Sequence, residues 1–249
     1  MRKFKALAFD VGGSVFNWKD AIKQALEEVT VGTGTEVDSE AFAMEWRKNL
    51  FLVLKEVASG ELPRMNVDAV LPIALERIAP DFPQLELDDT NRRHLLAAWH
   101  RMQAWEDFPP ALMRLKEKYS VMVLTILSFA IVADCSKASN ICWDGIISCE
   151  SLGHYKPHPE AYLEGCRLMG LKPEEVCLVA VHPSDLMAAK QAGMGTAFSA
   201  PQLDEPDVPG MTLPDLPPRD AYDYYAESFE ELADIMCDGL DDWNDLPVA

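Results

Sequence analysis

Four polar features of this sequence stand close behind short apolar runs or turns. Asp10 and Ser14 follow the run Lys5 to Phe9 (KALAF) on either side of a Gly12-Gly13 turn. Ser128 comes after the apolar stretch 121–126, Lys156 stands in GHYKPHPEAY, and Asp185 stands in VAVHPSDL behind the stretch 176–180. An acid, a hydroxyl, a cation and a second acid can surround an anionic reaction centre. A cation within a few ångströms of an aspartate favours its carboxylate form, and an ionised, pre-positioned carboxylate can act as a nucleophile. That is the chemistry open to Asp10 if the fold carries Lys156 to it.

The elements that must do the carrying are legible as periodicity. Lys5 to Phe9 reads as a buried strand with a carboxylate at its end. From about 17 to 105 the pattern changes to four helical stretches, near 18–29, 38–58, 66–78 and 88–103, with no convincing strand. Phe42, Trp46 and Leu50, or Leu95, Trp99 and Met102, recur there at helical spacing. After Pro109-Pro110 strands at 121–126, 145–148, 176–180 and 196–198 alternate with helices at 130–139, 158–169 and 184–192. Such alternation predicts an α/β fold, a Rossmann-like parallel sheet built from βαβ units. The expected organisation is a core from 1–15 and 107–237, interrupted by a helical cap over 16–106. The Pro-rich stretch 201–218 reads as a surface excursion, 228–236 as a closing helix, and 238–249 as a disordered acidic tail. In an open parallel sheet ligands bind outside the carboxyl ends of the strands, and Asp10, Ser14, Ser128, Lys156 and Asp185 all fall at that end.

Each residue also has a plain reading. Asp before Gly is common in turns, Lys156 sits before a proline in a loop, and an acid at Asp185 suits a helix N-terminus. Arg47 lies mid-helix beside Trp46, where it can simply be a solvated face. Their convergence on one sheet end favours a site. His182 is a lone histidine, a type more often structural, and His154 with His158 in a Pro-containing loop is no helical metal site.

The formal net charge of −19 over 249 residues argues against nucleic acid or an anionic membrane as partner, since both require basic patches. It leaves room for a small anionic substrate in a locally positive pocket. No uncharged apolar run approaches the roughly 20 residues that span a bilayer. The opening MRKFKALAFD turns directly into a strand, unlike a signal peptide. Six cysteines without CxxC spacing fit reduced thiols and a cytoplasmic location.

In order, FDVGGSVFNW, LTILS, GHYKPHPEAY and VAVHPSDLMAAKQAGMGTAF resemble the four motifs of the haloacid-dehalogenase superfamily, and most closely those of the 2-haloacid dehalogenases. The GELP and AWHRM segments resemble one branch of that family. The resemblance implies hydrolytic dehalogenation of a short 2-haloacid, without cofactor or metal. Asp10 would attack C2 to form an ester that water hydrolyses. Ser14 and Ser128 would hold the substrate carboxylate, and Phe129 stands at the next position, where the family usually has a substrate-binding asparagine. Lys156 would orient Asp10, Tyr162 would close the pocket, and Asp185 would position Lys156 or the water. Arg47 would receive the halide. Superfamily phosphatases carry a second acid two residues after the nucleophile, where this chain has Gly12; they also tend to carry an acid four before the position of Asp185, here Val181. A halide leaves without a proton, so Gly12 favours the dehalogenase. The alternatives are a phosphatase of the same superfamily and a catalytically silent binding protein. A homodimer is an option the sequence leaves open.

Overall fold

The computed structural model describes residues 4–199 and 218–238. Nine helices and eight strands run through those residues. Strand β1 (Ala6–Phe9) has every residue buried and lies in the middle of a six-stranded parallel sheet. With β4 (Ser120–Thr125), β5 (Gly145–Ser148), β6 (Val176–Ala180), β7 (Gly195–Ser199) and β8 (Tyr224–Ala226) the order is β5-β4-β1-β6-β7-β8. Central parallel strands are covered on both faces, which is why ALAF and VCLVA are continuous apolar runs rather than alternating ones. Helices α5 (Phe108–Lys116), α6 (Phe129–Ala138), α7 (Pro159–Leu168), α8 (Pro183–Gln191) and α9 (Phe229–Asp238) accompany the sheet. Phe9 anchors an aromatic knot with Phe108 and Phe229, ring centroids 4.8 to 6.3 Å apart.

Between β1 and α5 the chain forms α1 (Trp18–Thr30), α2 (Ser39–Ser59), α3 (Val67–Ile78) and α4 (Asp89–Ala98). Each starts where an Asn or Asp side chain accepts a backbone N–H of the first turn: Asn17 from Asp20, Asp38 from Ala41, Asn66 from Ala69, and Asp88 from Asn91. These caps occupy donors that have no partner within the helix. Helix α2 stops at Gly60, whose φ of 82° is the left-handed geometry that glycine adopts freely. The helical layer is seated on the core by polar contacts. Tyr155 Oη donates to Met65 O at 2.8 Å, and Arg64 to Glu150 O at 3.0 Å. The His100 ring bridges Asp68 of α3 and Asp134 of α6 at 2.7 and 2.8 Å.

Four local features differ from the sequence-based expectation. Helix α4 ends at Ala98, five residues before the expected 103. Trp99, His100 and Arg101 instead donate to carbonyls three residues back, a tightening that ends the helix. The chain then pairs as strand β3 (Gln103–Ala104) with β2 (Phe16–Asn17), an antiparallel neck in the region read as free of strands. Helix α5 has no counterpart in that expectation, in which the strand–helix alternation resumes only after Pro109 and Pro110. They lie in its first turn, where a missing N–H costs nothing. Edge strand β8 was missed too, being only three residues long. The expected 201–218 excursion and 238–249 tail lie outside the described residues, apart from their boundary residues Pro218 and Asp238. Among the described residues no helix is long and apolar enough to cross a membrane, and no disulfide joins the six cysteines.

Candidate active site

Strand β1 delivers Asp10 to the carboxyl edge of the sheet, where the Asp10 N–H still donates to Val179 O at 3.0 Å. The chain then turns tightly: Val15 and Phe16 both donate to Val11 O, and Gly13 N donates to Phe16 O. Gly13 takes a φ of 88° inside this turn, a position that excludes most side chains. The turn brings the Ser14 hydroxyl back onto Asp10 Oδ2 at 2.9 Å, while that hydroxyl accepts the Val181 N–H at 3.1 Å.

Lys156 enters from the loop between β5 and α7. Its Nζ lies 3.2 Å from Asp10 Oδ1 and 2.8 Å from Asp185 Oδ2. Asp185 sits in the first turn of α8, and Tyr162 of α7 donates to its Oδ1 at 2.5 Å. Burial opposes the charge on Lys156, but the Asp185 and Asp10 carboxylates outweigh it and raise the ammonium above the usual lysine range. Asp185 is also raised, by burial first and by the Asp10 charge, against the pull of Lys156. The two shifts are consistent, because a single buried ammonium faces two buried carboxylates. Burial and the Asp185 charge raise Tyr162 as well, so it stays a phenol and a donor. His182 lies 3.0 Å from Gly12 O through Nε2, which therefore carries the proton, and the same atom is 3.7 Å from Asp10 Oδ2.

These groups floor a cavity of about 320 Å³ between the sheet edge and the helical layer. Asp10, Lys156, Asp185 and Tyr162 line it from the sheet side, together with Gly12 and His182. From the other side come Trp18 of α1, Arg47 of α2 and Trp99 after α4. Arg47 is only 4% exposed, with its guanidinium carbon 4.9 Å from the Trp18 ring centre and 5.2 Å from that of Phe51. Trp18 stacks on Trp99 at 6.3 Å. A guanidinium held between aromatic faces is a cation kept from bulk water.

Five expected site residues, Asp10, Arg47, Lys156, Tyr162 and Asp185, meet at this cavity, and three do not. The Ser14 hydroxyl is committed to Asp10 and the Val181 N–H. Ser128 is buried as the cap of α6, accepting from Ile131 N at 3.1 Å. Phe129 is 54% exposed, and its backbone N–H is taken by Glu150 Oε1 at 2.9 Å. None of the three lines the cavity. Sequence reading did not single out the apolar wall of Trp18, Leu50, Phe51, Trp99, Ile126 and Leu127. Trp18 and Trp99 belong to the buried core as well, and helical spacing does not separate the two duties. Among the described residues no group of three or more His, Cys, Asp or Glu side chains could hold a metal ion.

Residues 4–193 match the family model described as haloacid dehalogenase-like hydrolase. The chain is 26% identical over 197 residues to (S)-2-haloacid dehalogenase 4A of Burkholderia cepacia, covering 77% of this chain and 81% of that one. It is 29% identical over 203 residues to (S)-2-haloacid dehalogenase 1 of Pseudomonas sp. (strain CBS-3), with 79% and 84% covered. A crystal structure of a defluorinating L-2-haloacid dehalogenase superposes with a TM-score of 0.82 at 31% identity, over 92% of this chain and 94% of that one.

Proposed function

The chain belongs to the haloacid dehalogenase-like hydrolase family, and from that premise we propose that it hydrolyses the carbon–halogen bond of a 2-haloacid with Asp10 as nucleophile. One observation carries this reading: a buried carboxylate, fixed by Ser14 and Lys156, faces a cavity that also holds a guanidinium boxed by aromatic rings. An Asp10 oxygen forms a bond to C2, and the carbon–halogen pair departs as halide toward Arg47. The weakly hydrated, delocalised guanidinium suits a soft anion in a dry pocket. No proton is needed at this step, which agrees with Gly12 standing where an acid would protonate an alkoxide.

Water then adds to the ester carbon of Asp10, and collapse returns the carboxylate and releases the 2-hydroxyacid. Lys156 holds the Asp10 carboxyl throughout, the departing C2 oxygen takes up one proton of the water, and Asp185 accepts the other. Its raised proton affinity makes it a better acceptor than an ordinary aspartate. The helices 18–98 act as a cap domain that keeps bulk water from the displacement. The cysteines, five of six buried and none in a disulfide, suit a reducing, cytoplasmic setting.

The test is halide release from fluoro-, chloro- and bromoacetate and from both enantiomers of 2-chloropropionate, with and without EDTA. Release that persists in EDTA is the expected result. Activity lost to EDTA and restored by magnesium, with turnover of phosphate esters, would replace this reading with a phosphatase. Silence on the whole panel would favour a binding protein.

A further inference from the structure

We propose that the substrate carries an apolar side arm of several carbons on C2, seated against Leu50, Phe51, Ile126 and Leu127; this rests on the dehalogenase reading above. The first support is room. At roughly 30 Å³ per water-sized group, a cavity of about 320 Å³ holds on the order of ten non-hydrogen atoms. Chloroacetate fills about half of that and the hydrolytic water about a tenth. The remainder suits an arm of about four carbons.

The second support is where the room lies. Arg47, Leu50 and Phe51 stand at i, i+3 and i+4 of α2, so they share one helix face, and all three line the cavity. The halogen and the side arm leave the same carbon. A halogen directed at Arg47 leaves the arm within reach of Leu50 and Phe51 on the next turn of that face. Opposite stands Leu127, and a Cβ built on Gly12 would come within 3.5 Å of its Cδ1. The absent acid at position 12 thus leaves an apolar surface next to Asp10. Ile126 extends that surface.

The experiment is kcat/KM for halide release along 2-bromopropionate, 2-bromobutanoate, 2-bromopentanoate and 2-bromohexanoate, which share a secondary reaction centre. Burying one methylene corresponds to roughly a fourfold gain, so kcat/KM should rise by on the order of tenfold or more across the series. Leu50→Phe, and separately Phe51→Trp, should flatten the rise so that the hexanoate-to-propionate ratio falls toward one. Good turnover of 2-bromopropionate with a flat or falling wild-type series overturns the side-arm proposal and leaves the dehalogenase reading standing. A wild-type rise that both variants leave intact would also overturn it, since the arm would then lie elsewhere. Silence on every member overturns both.

Discussion

The Ser14 hydroxyl donates to Asp10 Oδ2 at 2.9 Å and is itself held by the Val181 N–H at 3.1 Å. This contact fixes the rotation of the Asp10 carboxylate, and we propose it as the duty of Ser14 in place of the substrate contact that the family motif implies. Ser14→Ala should therefore lower kcat by about tenfold to a hundredfold, the worth of one hydrogen bond to a charged group. KM should stay within about twofold in steady-state kinetics. A raised KM with kcat intact would return Ser14 to binding the substrate carboxylate.

Lys156 is the cation shared by Asp10 and Asp185, at 3.2 and 2.8 Å. Lys156→Met leaves two buried carboxylates uncompensated and should cost about 3–5 kcal/mol of stability at neutral pH. The sign with pH follows from Asp185, which burial and the Asp10 charge already raise even with the lysine present. A carboxyl raised above its unfolded value of about 3.9 binds protons more readily in the folded chain. Its ionisation therefore removes stability as pH rises through the window above that value. In the variant the window widens upward, so the deficit should shrink as pH falls from about 7 to about 5. Denaturant unfolding of both proteins at the two pH values is the measurement. A deficit that does not change with pH would mean that Lys156 acts by packing alone. In the wild type the raised lysine adds an alkaline counterpart: its stabilisation is complete below about 10.4 and is lost as pH rises beyond that.

Much of this was legible in residue order. Asp10 had to sit at a sheet edge because the apolar run before it is too short for anything but a buried strand, and β1 is central. Lys156 and Asp185 follow from the same rule, applied to the turns after β5 and β6. The failures share one cause, namely partners distant in sequence. Nothing near Ser14 announces Val181, 167 residues on. Nothing in the helical periodicity of 88–103 announces that Gln103 will pair with Asn17. The aromatic faces against Arg47 were hidden because Trp18 obeys the pattern of a core residue while also lining the cavity.

Arg47 should not tolerate its nearest relative in charge. The guanidinium carbon lies over the Trp18 and Phe51 rings at 4.9 and 5.2 Å; a planar, delocalised cation suits such faces, whereas an ammonium is compact and strongly hydrated. Arg47→Lys should lose about a hundredfold to a thousandfold in kcat, the scale of one lost transition-state contact. Halide-release kinetics under saturating 2-haloacid check this. A variant near wild type would move the halide site to another part of the cavity wall.

The last prediction concerns the fate of oxygen. If Asp10 only activated a water, the hydroxyl oxygen of every product molecule would come from solvent. If Asp10 is the nucleophile, the first product takes its oxygen from the Asp10 carboxylate, and solvent oxygen enters the enzyme when the ester is cleaved at the carboxyl carbon. The geometry favours the second course, because Ser14 and Lys156 hold one Asp10 oxygen each and leave the carboxylate fixed toward the cavity. A single turnover in ¹⁸O-water with enzyme in excess should therefore give unlabelled 2-hydroxyacid and an Asp10 peptide heavier by one oxygen exchange. Asp10→Asn, nearly isosteric, should abolish turnover without unfolding the chain, as circular dichroism can verify. Heavy oxygen in the first-turnover product would show that water attacks C2 directly, and the covalent mechanism would have to be abandoned.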